Sequence, residues 1–337
     1  MRRFCVLLLT VLCASYCTWE TVETSTIEQH WGSDQQGTKL QAITLYGSVE
    51  GQTVYGFEFS SATLGSAALN NLRLEKGELV AEQNQVTLHD DELENAHVFA
   101  QVKNYAANPV TTTTVEYVIT DVVEESGYDP SNTSHTNLYS ISQIVNGTPQ
   151  PACPEDSDGK RAAIPISGAW DNHGNRIESS SLFTFGCTTG VIAKCYRWGY
   201  RPWLNEVLTD LPNIATTHWT CTRMARADYC GNGVPRTHDG TWVNFWDNLP
   251  SPGPLREWGS TPTGMVFEAG WNTAGAVCLS HARWLNGGTL IALVCPTRLI
   301  ALGLGATVCD TVQDVLGLNS GATMFNESNL NANLNDL

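Results

Sequence analysis

The sequence predicts an α+β chain in two parts: an N-terminal β-rich part, sandwich- or barrel-like, followed by a disulfide-stapled α+β domain. Three observations carry this expectation. Short runs that alternate apolar and polar residues around Gly-containing turns fill the first half. Helix-favouring patterns begin only near residue 190. Of the eleven cysteines, three lie in the first 17 residues and the other eight beyond residue 152.

The chain opens with Arg2 and Arg3, an apolar run from Phe4 to Leu12, then Ala14 and Ser15. This is the layout of a secretory signal peptide over residues 1–17. The run is too short to span a bilayer, which takes about 20 residues. Cys17 invites lipid anchoring, but bulky Tyr16 fits a lipobox poorly, so ordinary export is preferred. The expected location is therefore secreted, or periplasmic and cell-envelope, with no transmembrane anchor once the leader is removed. Residues 18–37 are polar and read as a linker.

Residues 38–150 read as an acidic β domain. Leu40–Tyr46 and Thr53–Phe59 are strand-like, Leu72–Leu74 and Leu79-Val80 flank a Lys76-Gly77 turn, and Thr111–Val122 is rich in β-branched residues. Residues 1–150 hold 18 Asp+Glu against 6 Lys+Arg, which is −12 of the net −16. That balance disfavours nucleic acid as a partner. Asp156-Ser-Asp158-Gly159 begins like a calcium loop, but Ser167 stands where its closing carboxylate belongs, so a turn is the better reading.

Residues 155–318 read as the second domain. Ala162–Ser167 and Ser181–Phe185 look like strands around the turn 171–174. Residues 190–198 and 216–229 look helical, stopped by Gly199 with Pro202 and by Gly231. Val266–Trp271 with Ala276–Leu279 reads as a hairpin, and 308–316 as a closing helix. Thr289–Val308 is apolar but interrupted by Cys295-Pro296 and Arg298. Residues 319–337 are Asn-rich and read as a fraying tail, with Met324-Phe325 packing back.

Cys153, Cys187, Cys195, Cys221, Cys230, Cys278, Cys295 and Cys309 make an even set, which in an exported chain implies four disulfides. Along a helix, spacings of eight and nine residues separate Cα atoms by about 12–13 Å. A disulfide allows less than about 7 Å. Neither Cys187/Cys195 nor Cys221/Cys230 should then close on itself, and an antiparallel helix pair matches Cys195 with Cys221 and Cys187 with Cys230.

The densest motifs are Phe183-Thr-Phe-Gly-Cys187, Ala193-Lys-Cys-Tyr-Arg-Trp-Gly-Tyr-Arg-Pro-Trp203, and the run from Cys221 to Gly233 that contains Ala227-Asp228-Tyr229-Cys230. With Thr237–Thr241, Phe267–Trp271 and Gly275–Cys278, they make residues 160–285 resemble the bacterial ADYC-domain family. The resemblance implies an exported, cysteine-rich module. It implies no activity, so no catalytic residue is carried over.

Cys230 with His218 and His238 suggests a thiol nucleophile or a soft metal site. Both chemistries need cysteines that an oxidising compartment commits to disulfides, so neither a metal nor a cofactor is expected. Asp228 lies at a helix end, where the macrodipole disfavours an anion. An ion pair with Arg223 or Arg226 is the plain explanation. The sharper one makes Asp228 a general acid or base with His238, Asp239 or His218, or pairs it with Glu257 or Glu268 as glycosidase carboxylates. Eight of the eleven tryptophans lie between Trp198 and Trp284. Trp242 and Trp246 border a Pro/Gly-rich stretch and, with Arg223 and Arg226, suggest a surface for a carbohydrate or peptide of the cell envelope. The leading expectation is a non-enzymatic binding or envelope module. The alternative is a hydrolase of an envelope polymer acting through Asp228.

Overall fold

A computed structural model describes residues 39–125, 136–207, 213–237, 239, 241, 243–249, 264–283, 309–318 and 321–329. The leader at 1–17, the linker at 18–37, His238, Trp242, Glu257 and Cys295 lie outside the described residues. The first strands are Gln52–Glu58 (β1), Thr63–Leu64 (β2), Ala67–Ala68 (β3), Asn70–Glu75 (β4), Glu78–Gln83 (β5) and Val86–His89 (β6). Then come Ala96–Asn104 (β7), Thr111–Glu125 (β8), Thr136–Val145 (β9), Thr148–Pro151 (β10), Ala163–Ser167 (β11), Ala169–Trp170 (β12), Arg176–Ile177 (β13) and Leu182–Cys187 (β14). Helices Val191–Arg197 (α1), Leu204–Val207 (α2) and Ile214–Ala225 (α3) come next. The last elements are Val243–Asp247 (β15), Met265–Asn272 (β16), Gly275–Leu279 (β17), Val312–Gly317 (α4) and Met324–Asn329 (β18). Strand outweighs helix, 45% to 14%, so the expected α+β class is in practice mostly β.

Six antiparallel strands close into a barrel in the order β1-β14-β11-β9-β8-β7, with β7 returning to pair with β1. The alternation along β7 shows how the chain fills it. Ala96, Val98, Ala100 and Val102 are buried while the residues between them are half-exposed. These small and β-branched side chains leave room for the aromatic groups of other strands. Phe57 sits edge-on to Tyr117 at 5.1 Å and to Phe185 at 4.9 Å. Barrel closure removes the unpaired strand edges that an open sheet of these strands would present.

Two of the six strands, β11 and β14, come from beyond residue 155. The boundary expected at 150–155 therefore falls inside the barrel. Cys153 bonds to Cys187, the last residue of β14, across a Cα separation of 5.5 Å. This corrects the expected Cys187–Cys230 pair. Cys187 ends a strand three residues before Gly190, the N-cap of α1, so it never joins the helix face from which that pair was argued. Cys195 on α1 and Cys221 on α3 are bonded, with Cα atoms 5.9 Å apart.

Leu40–Tyr46 is not a strand, which is a second correction. Its backbone serves a helix instead: Val191 N donates to Lys39 O and Ile192 N to Leu40 O, satisfying two of the orphan N–H groups at the start of α1. The barrel and α1 are also joined by Arg197, which donates to both carboxylate oxygens of Glu125 at 3.1 and 2.6 Å with both side chains buried.

Helix α3 packs against a four-stranded sheet ordered β15-β18-β16-β17. The fraying tail expected at 319–337 is thus corrected over 324–329, which is an inner strand of this sheet. Met324 and Phe325 are buried as expected, but so are Asn326, Glu327 and Ser328. The polar strand is tolerated because its groups are partnered: Trp271 Nε1 donates to Asn326 Oδ1 at 2.7 Å, and Asn326 Nδ2 donates to Glu268 at 2.8 Å. Cys278 of β17 is bonded to Cys309, just before α4.

Candidate functional site

Helix α3 ends where the Ala-Asp-Tyr-Cys run begins. Ala227 takes a left-handed φ of 50°, Ala227 N donates to Met224 O at 3.0 Å, and Asp228 N donates to Arg223 O at 2.9 Å. This bond pair is a Schellman stop, built with alanine where glycine is usual. Gly231, the expected terminator, comes after the helix has already closed.

The stop points Asp228 inward. Asp228 Oδ2 accepts from Arg223 Nη1 at 2.5 Å and from Gly233 N at 2.8 Å, and Oδ1 accepts from Asn232 N at 3.0 Å. The guanidinium and two backbone N–H groups offset the unfavourable helix end. Arg223 also donates to Thr273 O, His173 O and Asn175 Oδ1, so one side chain ties α3 to the 171–175 turn and to the β16–β17 hairpin. Arg226 donates to Gly233 O at 2.6 Å, and burial pushes its pKa down to about 10, with Asp228 opposing.

Tyr229 continues the network. Its hydroxyl donates to Glu268 Oε1 at 2.9 Å and accepts from Arg283 N, while its ring stacks on Trp271 at 5.2 Å. Burial, reinforced by Glu268, raises the phenol well above its ordinary range. Glu268 accepts from Arg283 Nε on both oxygens, and the far end of Arg283 donates to Ala225 O and Met224 O, capping the last carbonyls of α3. Cys230 is in a disulfide, as are the other six described cysteines.

These positions decide what the expected site residues can do. Asp228 and Glu268 are both fully buried and each faces its own arginine, rather than sharing a cleft as glycosidase carboxylates would. His218 is fully buried, its Nε2 2.9 Å from Ile192 O and its ring edge-on to Trp170. Burial pushes its pKa down to about 3, so it is neutral, with Nε2 as the donor. Asp239 is exposed, and its charge acts on Lys194, whose pKa burial lowers to about 8. Arg223, Arg226 and Trp246 were expected on a binding surface and are instead 2%, 7% and 9% exposed. The reason is the same for all three: the network and the small sheet consume them, Trp246 packing near Phe267 and Phe325. Arg283 carries no motif signal and was missed. Only its place beneath the helix end reveals it.

A shallow, open concavity lies elsewhere. A cleft of about 380 Å³ lies where the β4–β5 turn meets β11 and the α1–α2 connection, with Tyr196 and Trp203 among its lining residues. Trp203 Nε1 donates to Tyr196 Oη at 2.8 Å. Gly77 of the turn is seated on this pair so closely that a Cβ there would overlap Tyr196 Oη.

Among the described residues no group of three or more metal-ligating side chains gathers, and no helix is long and apolar enough to cross a membrane. The family model for the ADYC domain matches residues 86–285, more than half of the chain. It begins well before residue 160, taking in β7, β8 and β9 of the barrel. No curated protein and no solved structure matches the chain.

Proposed function

Because the chain belongs to the ADYC-domain family, we propose that it acts as an exported binding module of the cell envelope, with the motif serving as the scaffold and not as a reactive centre. The observation that supports this reading most is the state of Asp228. A general acid or base must reach a substrate proton, and this carboxylate is buried, with three donors already on its two oxygens. The bonded cysteines are compatible with an extracellular location. The hydrolase alternative through Asp228 loses its main residue to the fold.

The test is co-sedimentation of the disulfide-intact chain with insoluble cell-envelope polymer, with the supernatant assayed for released fragments. The expected outcome is saturable co-sedimentation without fragments. Fragment release by the unmodified chain that is lost in an Asp228→Asn variant still showing the parent's cooperative unfolding transition would establish the hydrolase instead.

A further inference from the structure

The cleft beside the β4–β5 turn has a lining that runs against the charge of the chain. The protein has 34 acidic and 18 basic residues. Yet the described lining includes Arg73 and Lys76 and no Asp or Glu. Arg73 is compensated, bonding Glu75 at 2.6 Å and lying 3.5 Å from Glu82. Lys76 is exposed and has no ion-pair partner among the described residues. Glu75 and Glu78 flank it in the turn, so it is the lining cation outside any ion pair among the described residues, not a net positive charge of the mouth.

Lys76 also departs from the chemistry of its turn. Glu75 pairs with Glu78, which leaves Lys76-Gly77 as a two-residue hairpin loop with φ of 49° and 87°. Such loops favour Asn, Asp or Gly at the first position, because at positive φ a Cβ crowds the following carbonyl, a cost that Gly avoids and that Asn or Asp offsets by local hydrogen bonding. The turn cannot swing away, since Gly77 is held against Tyr196 and Trp203. Lys76 thereby lines a cleft whose walls include Phe59, Leu72, Leu74 and Pro165. A volume of about 380 Å³ falls in the range of small-molecule sites.

We propose that this cleft binds a small amphipathic carboxylate, with the anion on Lys76 and the apolar body along Phe59, Leu72 and Leu74. The assignment rests on reading the chain as a binding module and names one site and ligand class for it. Octanoate is the probe, titrated into the full disulfide-bonded chain and followed by amide shifts at residues 71–77 and the Trp203 indole. We expect saturable shifts there. Lys76→Glu should weaken octanoate at least tenfold, and glucuronate, an anion without an apolar body, should bind at least tenfold more weakly. Octylammonium, with the same body and opposite charge, should leave these resonances unmoved. Lys76→Asn should raise the thermal midpoint while weakening octanoate, a split that a purely structural lysine would not produce. The proposal is overturned by absence of cleft shifts, by Lys76→Glu binding as tightly, or by octylammonium or glucuronate matching octanoate. If octanoate fails while the chain still co-sediments with envelope polymer, only this site assignment falls. Fragment release in the sedimentation assay removes the module reading itself.

Discussion

Asp228 and Arg223 hold each other in a place where neither would be tolerated alone. Removing one partner from a buried pair leaves an uncompensated charge, which costs about 3–5 kcal/mol. Arg223→Ala and Asp228→Ala should each lower stability by that order in urea titrations. The double variant should lose clearly less than the sum, because the second removal no longer strands a charge. His218 makes a different prediction. Its folded pKa of about 3 lies below its ordinary 6.5, so the unfolded chain binds a proton first as pH falls. Stability from this residue is complete above about pH 6.5 and drains away as pH drops towards 3, at up to ~1.4 kcal/mol per pH unit. Urea midpoints measured from pH 7 to 4 should fall more steeply for the parent chain than for His218→Gln. Parallel slopes would show that His218 protonates equally in both states. The ion pair of Asp228 with Arg223 was legible in the sequence from their spacing at a helix end. Its consequence for Arg226 and Trp246 was not, since burial depends on what folds over them.

At the scale of elements, the disulfides separate local from distant determinants. Cys195 and Cys221 follow from two helices packed side by side, and α1 and α3 meet as that reading requires. Cys153 and Cys187 follow from where two strands of a barrel end. Peptide mapping without reduction should recover Cys153–Cys187, Cys195–Cys221 and Cys278–Cys309. A Cys187–Cys230 peptide would contradict the barrel register. Replacing Cys195 and Cys221 together by Ala should cost roughly 3–4 kcal/mol, the chain-entropy value for a loop of 26 residues. Strands β1, β4, β5 and β8 were legible from alternation and turn residues, as were α1, the β16–β17 hairpin and α4 within a few residues. β18 was not, because Asn-rich composition signals solvent, and only the partners Glu268 and Trp271 make it a buried strand.

For the whole molecule, barrel closure makes residues 38–150 dependent on strands β11 and β14 from beyond residue 155. Without those two, four strands present open edges where the ring should close. A fragment of residues 38–150 should therefore show no cooperative unfolding transition, whereas a chain of residues 31–337 should. Ending the chain at residue 318 removes β18 from between β15 and β16, and should expose the amides of those strands to rapid hydrogen exchange while leaving β7 and β8 protected. Cooperative unfolding of the 38–150 fragment would mean that it reaches a closed fold by another pairing.

The sequence by itself determined the strand-rich first half, the helices near Cys195 and Cys221, the acidic balance, and a cysteine set suited to disulfides. These are short-range quantities: periodicity, turn residues, parity and charge are all written within a few residues of where they act. The tertiary structure alone decided that β11 and β14 close the barrel, that Cys153 takes Cys187, that Arg283 caps α3, and that Lys76 lines a cleft. Each of these depends on groups far apart in the chain meeting in one register. Alternation says which side of a strand is buried, but not which strand lies beside it.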